Sequence, residues 1–166
     1  MGVYLIQTSG ADITSEAKPA YISGAEGPRF CDEPLQHNRY FNAEPYWQQG
    51  FARRRAWQTA AKDDIALLYC TGSVDGYSSS LSHALPIAEK RIVDGEGAWL
   101  EFDKTIELEP TIDYPTIQSK IDDGEFSDGM GRCGQEGFNF RRVEDDDLQT
   151  VQRLTTPTSG VWDDVL

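Results

Sequence analysis

Two apolar runs joined by a short polar loop constrain the fold of this chain more than any other feature of its sequence. Ile65–Cys70 (IALLYC) and Leu81–Ile87 (LSHALPI) are separated by residues rich in Gly, Ser and Asp. A continuous apolar run that follows charged residues and ends at Gly72 is typical of a buried strand. We therefore predict a buried strand at Ile65–Cys70 and a returning neighbour at Leu81–Ile87.

Length and composition favour one folded domain. A chain of 166 residues can bury a core of ordinary size, and an apolar content of 39% excludes wholesale disorder. Its apolar runs are much shorter than the roughly 18 residues of a membrane span, and its first residues lack the basic and apolar regions of a signal peptide. We expect a soluble, cytoplasmic protein without a membrane partner.

The charge balance is strongly acidic. The formal net charge is −13, which by itself opposes nucleic-acid binding because phosphate contacts need a basic surface. The cations, however, are ten Arg and only five Lys beside 28 Asp and Glu. Few lysines with abundant carboxylates indicate a halophilic protein that works in concentrated salt, where charges are screened within a few ångströms. In that setting, local arginine clusters say more about partners than the net charge does.

Catalytic and metal-binding patterns are weak in this sequence. Cys31, Cys70 and Cys133 are odd in number and widely spaced, so they indicate no disulfide framework. Cys31, His37 and Cys133 could contribute to a metal site, but no CxxC or HxxxH pair supports one. The motifs GxSxG, HExxH and GxGxxG and the P-loop are absent. We predict a protein that is not an enzyme and that needs no metal and no cofactor.

Periodicity predicts an α+β fold in which strands dominate. Residues 11–45 carry four prolines and read as a long irregular excursion, either a wall of a site or a loop pinned by Tyr40 and Phe41. The expected architecture is a small, partly closed β-barrel with flanking helices, covering residues 1–156 and followed by a tail at 157–166. The predicted strands are Val3–Gln7, Ile65–Cys70, Leu81–Ile87, Leu100–Leu108 and Phe138–Val143, and the predicted helices are Trp47–Ala61, Thr116–Asp122 and Asp145–Leu154.

Arginines and aromatic rings are the candidate binding groups. Arg53–Arg55 form either a solvated helix face or a cationic surface, and Arg132 and Arg141–Arg142 add cations near a glycine-rich stretch. A fork-shaped guanidinium suits phosphate. Cations and flat rings beside a buried strand favour a planar, anionic ligand, for which nucleic acid is the leading candidate. Three rings can be either core residues or stacking platforms: Trp57, Tyr69 and Tyr77.

The order of these segments resembles the EVE domain family, within the PUA-like superfamily that also holds YTH and ASCH domains. YLIQTS resembles the first strand and turn of that family, and YWQQGFARRRAWQTAAKDDIALLYCTGS resembles its helix, charged turn and aromatic strand. MGRCGQEGFNFRRVEDDDLQTVQRL resembles the closing segment. The resemblance spans residues 2–156, and the acidic composition is similar to that of a haloarchaeal-type member. Two departures are Lys62–Asp64 in place of the usual Gly-Asp turn and Gly134 in place of a frequent Arg.

The resemblance implies a module that binds DNA or RNA and reads a modified or unpaired base without catalysis. The open alternative is a protein-interaction module of the same fold, with a protein partner and no base-binding role. Nine residues would border the pocket by position: Gln7, Thr8, Ser9, Asn38, Trp57, Tyr69, Thr71, Gly72 and Gln135. Four arginines would contact the flanking phosphates: Arg53, Arg54, Arg141 and Arg142.

Overall fold

The computed structural model describes residues 1–8, 39–43, 55–72, 76–93, 97–134 and 140–166. Within these ranges the chain is α+β, as predicted. The strands are β1 Val3–Thr8, β2 Arg39–Ala43, β3 Ile65–Cys70, β4 Ser80–Val93, β5 Gly97–Phe102, β6 Ile106–Asp113, β7 Phe140–Val143 and β8 Thr156–Pro157. The helices are α1 Arg55–Thr59, α2 Tyr114–Asp122, α3 Asp145–Leu154 and α4 Trp162–Val165, with a 3-10 helix at Asp128–Arg132.

Strand β3 lies inside the sheet, as its apolar run predicts. It pairs in parallel with β1 and antiparallel with β4, and all six of its residues are buried. Because both faces and both edges of β3 are covered, every position needs an apolar or internally bonded side chain. The predicted strands at Ile65–Cys70 and Leu81–Ile87 are thus confirmed, and β4 continues to Val93.

The single strand predicted at Leu100–Leu108 is wrong, because it is divided into β5 and β6. The two parts pair with successive halves of β4, β5 beyond Ile87 and β6 before Ala84. Between them Asp103 and Lys104 are exposed. Apolar residues keep the same two-residue phase on both sides of this interruption, at Leu100 and Phe102 and again at Ile106 and Leu108, so the pattern did not reveal it.

The sheet is open among the described strands. Its order is β2-β5-β4-β3-β1-β7, with β6 beside β4 and β8 beside β6. No ladder between described strands joins β7 to β2, β6 or β8. The partly closed barrel predicted from the sequence is therefore not confirmed.

The central strands present two different faces to their surroundings. On one face Leu5, Leu67 and Tyr69 belong to a buried cluster that also contains Ile117 of α2 and Leu148 of α3. We call this the α2 face. On the other face, which we call the α1 face, the ring of Tyr4 stacks on Phe140 with centroids 5.2 Å apart. The Tyr4 hydroxyl also lies 2.9 Å from Thr59 Oγ1 of α1.

Two predicted helices are confirmed, one with an earlier start. Helix α2 begins at Tyr114 because the Asp113 side chain accepts a hydrogen bond from Thr116 N at 2.9 Å and Pro115 fits the first turn. Helix α3 has the predicted bounds. Of the helix predicted at Trp47–Ala61, residues 47–54 lie outside the described ranges, and in the described part α1 ends at Thr59, before the predicted end at Ala61.

The last residues are attached to the domain. Strand β8 pairs with β6, and the indole Nε1 of Trp162 donates a hydrogen bond to Thr155 O at 3.0 Å. Trp162 and Val165 pack against the buried cluster of the α2 face. In the part of the chain that is described, no helix is long and apolar enough to cross a bilayer.

Candidate functional site

A cavity of about 470 Å³ opens to solvent at the carboxyl end of β3. Its size lies within the usual range of small-molecule sites. It forms where the end of β3 meets the first turn of α2 and the residues after the 3-10 helix. We call it the Tyr69 pocket. Its described lining residues are Tyr69, Thr71, Gly72, Ser79, Tyr114, Pro115, Cys133 and Gly134.

The inner wall of the pocket consists of neutral groups. Tyr69 is 2% exposed and Cys133 is 1% exposed. Burial, with a smaller effect of the neighbouring Cys133, raises the pKa of the Tyr69 phenol to about 12, although a hydrogen bond with the Ser79 side chain opposes the rise. Burial also raises the pKa of the Cys133 thiol to about 12. Both groups are protonated at neutral pH and offer hydrogen-bond donors without charge.

A glycine keeps the space between the two tyrosines open. Gly134 has a φ of +79°, a backbone conformation that favours glycine. A Cβ at this position would lie 3.7 Å from the Tyr69 hydroxyl oxygen and 3.9 Å from Cε2 of Tyr114. The missing side chain therefore leaves room between the two rings.

Gln7 connects this glycine to the sheet. Its Oε1 accepts a hydrogen bond from Gly134 N at 2.8 Å. Because Gln7 lies near the carboxyl end of β1, the bond holds the wall formed by Cys133 and Gly134 beside the end of β3. Gln7 thus borders the pocket mainly by positioning its backbone wall.

The rim of the pocket is also held by backbone contacts. Tyr114 N donates to Ser79 O at 3.0 Å, which joins the start of α2 to the turn before β4. On the opposite side, the Ser78 hydroxyl donates to Gly72 O at 2.9 Å. Tyr114 is 41% exposed at this rim.

The structure brings together four of the nine pocket residues predicted from the sequence. Tyr69, Thr71 and Gly72 line the cavity, and Gln7 supports its wall. Thr8 continues β1 and pairs with Cys70. Three further predicted pocket residues lie outside the described ranges: Ser9, Asn38 and Gln135. The predicted phosphate contacts Arg53 and Arg54 also lie outside them.

Trp57 occupies a different place from the one predicted. It is 5% exposed and belongs to α1, whose Thr59 contacts Tyr4 on the α1 face. Lys90 Nζ lies 5.7 Å from the centroid of the Trp57 ring and donates to Trp57 O at 2.7 Å. Tyr69 lies on the α2 face, so the sheet separates the two rings. The helical pattern of α1 does not specify the face on which it packs, and so the sequence could not show this.

The two arginines of β7 have different environments. Arg141 pairs with Leu5 in the ladder between β1 and β7. It also lies beside the 3-10 helix, because a Cβ placed on Gly129 would be 3.8 Å from Arg141 Nε. It is half-buried on the α2 face. Arg142 pairs with Tyr4 and is exposed, and its Nη2 lies 3.8 Å from Asp145 Oδ1. A second cavity of about 470 Å³ around Arg142 is lined by Val143, Glu144, Asp145 and Asp146, so carboxylates surround this cation.

Sequence reasoning missed five lining residues of the pocket: Ser79, Tyr114, Pro115, Cys133 and Gly134. Ser79, Tyr114 and Pro115 reach the pocket because Ser80 pairs with Asp113 in the ladder between β4 and β6. That register places the start of α2 beside the end of β3. Cys133 and Gly134 reach the pocket from the residues after the 3-10 helix, and the proximity of Gly134 to Tyr69 was not predictable from the sequence.

The candidate metal residues gain no support among the described residues. No cluster of three or more His, Cys, Asp or Glu side chains within the described ranges could hold a metal ion. Cys31 and His37 lie outside those ranges. His83 is buried, with Nδ1 2.7 Å from Ser82 Oγ, and burial lowers its pKa to about 4.

Comparison with known proteins identifies the fold. No family model matches the chain, and no curated protein matches it. An ASCH protein from Zymomonas mobilis is similar in structure, with a TM-score of 0.51 at 9% identity, over 93% of this chain and 96% of that one. The protein Rpa0253 from Rhodopseudomonas palustris gives a TM-score of 0.50 at 9% identity, over 91% of this chain and 90% of that one. The chain therefore shares the overall fold of these two proteins, one of which is an ASCH protein.

Proposed function

We propose that this protein is a nucleic-acid-binding module that reads an unpaired or modified base in the Tyr69 pocket and does not transform it. The observation that carries the proposal is the open, neutral cavity between two tyrosines. An unpaired base is flat and uncharged, with polar groups along its edges. Stacking on an aromatic ring stabilises such a base by about 1–3 kcal/mol.

The lining of the pocket suits a base better than a phosphate. Its described residues contribute hydroxyl, thiol and backbone groups, and none carries a charged side chain. A phosphate moved from water into such a site would lose its hydration without gaining a cation. Hydroxyl groups and amides, in contrast, can pair with the donors and acceptors of a base edge.

The phosphates would remain outside the pocket and meet arginines of the α2 face. Arg132 is exposed and directly precedes Cys133 of the pocket wall. Arg141 lies on the same face of the sheet, beside the 3-10 helix that ends at Arg132. Arg53 and Arg54 are further candidates from the sequence. The carboxylates around Arg142 weaken its attraction for a phosphate.

The wider assignment is part of the same proposal. We infer a haloarchaeal-type member of the EVE family that works in the cytoplasm of a halophilic cell, where concentrated salt screens the net charge of −13. The likeness to an ASCH protein supports this proposal through the fold alone.

A binding titration with two neighbouring arginine variants tests the proposal. Fluorescent single-stranded DNA and RNA carrying ordinary, methylated or hydroxymethylated bases would be titrated in molar KCl and at lower salt. We expect one modified or unpaired base to bind best. We expect Arg141→Ala to weaken all oligonucleotides by about fivefold and to reduce the salt slope by about 1. Arg142→Ala, the matched control with the same change in charge, should have a smaller effect.

Three results would contradict the proposal in different ways. Absence of binding across the panel would favour the protein-interaction module. Equal effects of the two arginine variants would remove the phosphate role assigned to Arg141. A change in the mass of the recovered oligonucleotide would show that the protein is an enzyme.

A further inference from the structure

Tyr114 is exposed in a way that its position in the fold does not require. Among the described residues, the large apolar side chains that are exposed are Met1, Tyr114, Val161 and Leu166. Met1, Val161 and Leu166 lie at or near the ends of the chain. Tyr114 lies in the middle of the domain, and a tyrosine that is 41% exposed leaves surface in water that a partner could cover.

The Tyr114 ring is carried by a rigid backbone. Tyr114 N is bonded to Ser79 O at 3.0 Å. The Asp113 carboxylate caps α2 by accepting a hydrogen bond from Thr116 N. Hydrogen bonds from the side chain and the backbone of Thr116 lower the pKa of Asp113. Pro115 restricts the backbone next to the ring. A ring carried on a backbone that is ordered in advance loses less conformational entropy when a ligand stacks on it than a ring on an unordered loop.

The space beside this ring leads to the inner wall of the pocket. A Cβ placed on Gly134 would lie within 4 Å of both Tyr69 and Tyr114. Because glycine has no side chain, the gap between the two tyrosines is not filled. The Tyr69 hydroxyl oxygen lies 3.7 Å from that Cβ position, and the Cys133 thiol is close enough to the Tyr69 phenol to affect its pKa. A flat group that contacts the Tyr114 ring would therefore direct its leading edge towards these two protonated groups.

We propose that Tyr114 is the ring on which the ligand stacks, and that the group entering the pocket is an uncharged planar ring whose leading edge carries hydrogen-bond acceptors for Tyr69 and Cys133. This inference rests on the proposed function, and it identifies the bound group as a base in its neutral form. It also assigns the stacking role to Tyr114 and not to Trp57, which the sheet separates from the pocket.

The test uses two substitutions of an exposed residue, so the fold should survive both. Tyr114→Leu keeps apolar volume but removes the aromatic face, whereas Tyr114→Phe keeps the face and removes the hydroxyl. Val161→Ala shortens an exposed apolar side chain outside the pocket and serves as the control. The probes are adenosine, cytidine, guanosine, uridine and orotidine, which is uridine with a carboxylate on its ring, together with the oligonucleotide panel described above.

We expect at least one nucleoside to shift the tyrosine ring signals in NMR titrations of the whole chain. Tyr114→Leu should weaken the binding of that nucleoside by about 5- to 150-fold, which is the loss of affinity expected for one stacking contact. Tyr114→Phe and Val161→Ala should bind that nucleoside with an affinity within about threefold of that of the original protein. Orotidine should bind at least about tenfold more weakly than uridine, because its charge would be desolvated.

The outcomes separate this inference from the proposed function. If oligonucleotides bind equally well to the original protein and to Tyr114→Leu, the stacking role is wrong while nucleic-acid binding stands. If orotidine binds as tightly as uridine, the exclusion of charge is wrong. If nucleosides bind through Tyr114 but no oligonucleotide does, the inference holds and the proposed function fails. If no probe binds, both are overturned.

Discussion

At the scale of single residues, a buried histidine contributes to the pH dependence of the stability of the fold. His83 is 2% exposed, and its ring meets Tyr77 edge-on with centroids 4.8 Å apart. Burial lowers its pKa from 6.5 to about 4. The unfolded chain therefore takes up a proton near pH 6.5, whereas the folded chain resists protonation down to about pH 4. The stabilising contribution of neutral His83 is fully present above pH 6.5, and it is lost as the pH falls from 6.5 to about 4.

We predict that about 2 kcal/mol of the free energy of unfolding is lost between pH 7 and pH 5 through His83. Urea denaturation at both pH values in molar KCl would measure this loss. His83→Gln keeps a hydrogen-bonding group beside Ser82 but does not titrate. The free energy of unfolding of this variant should therefore fall less between pH 7 and pH 5. Equal losses in the two proteins would show that His83 does not contribute to this pH dependence.

At the scale of elements, a buried carboxylate joins α3 to the segment before the 3-10 helix. Asp147 is 1% exposed and accepts hydrogen bonds from Ser127 N at 2.7 Å, Ser127 Oγ at 2.6 Å and Glu144 N at 2.9 Å. We predict that Asp147→Ala lowers the free energy of unfolding by about 2–4 kcal/mol, because it leaves buried donors without an acceptor. Asp146→Ala removes an exposed carboxylate from the same helical turn and should cost less than about 1 kcal/mol. Similar losses in denaturant unfolding would contradict the structural role of Asp147.

The same scale shows what the sequence could and could not predict. Ile65–Cys70 and Asp145–Leu154 were predictable to the residue because a buried strand and a capped amphipathic helix leave local patterns. The face on which α1 packs, and hence the separation of Trp57 from Tyr69, depends on contacts between distant segments. In the pocket, Thr71 and Gly72 were named through the family resemblance, which could be carried over because they follow a strand that the sequence predicts. Tyr114 was not, because only the register of β4 and β6 brings it there.

At the scale of the whole molecule, the net charge of −13 is the dominant electrostatic feature. Described ion pairs such as Lys120–Glu125, at 3.3 Å, lie at the surface and each contribute less than about 1 kcal/mol. Such pairs do not offset the repulsion among the remaining carboxylates, which the compact state must carry. Salt reduces that repulsion over a Debye length of about 10 Å at 0.1 M and about 3 Å at 1 M.

We predict that the melting temperature rises continuously from low KCl to molar KCl, because screening stabilises the folded chain more than the expanded one. Calorimetry across this range would measure the rise. A variant that combines Glu109→Gln with Asp122→Asn, two exposed positions, should melt at a higher temperature than the original protein in low salt. Its advantage should disappear in molar KCl, where the removed repulsion is already screened. A melting temperature that stays flat or falls with KCl would contradict the halophilic interpretation, and the negative charge would then count against nucleic-acid binding.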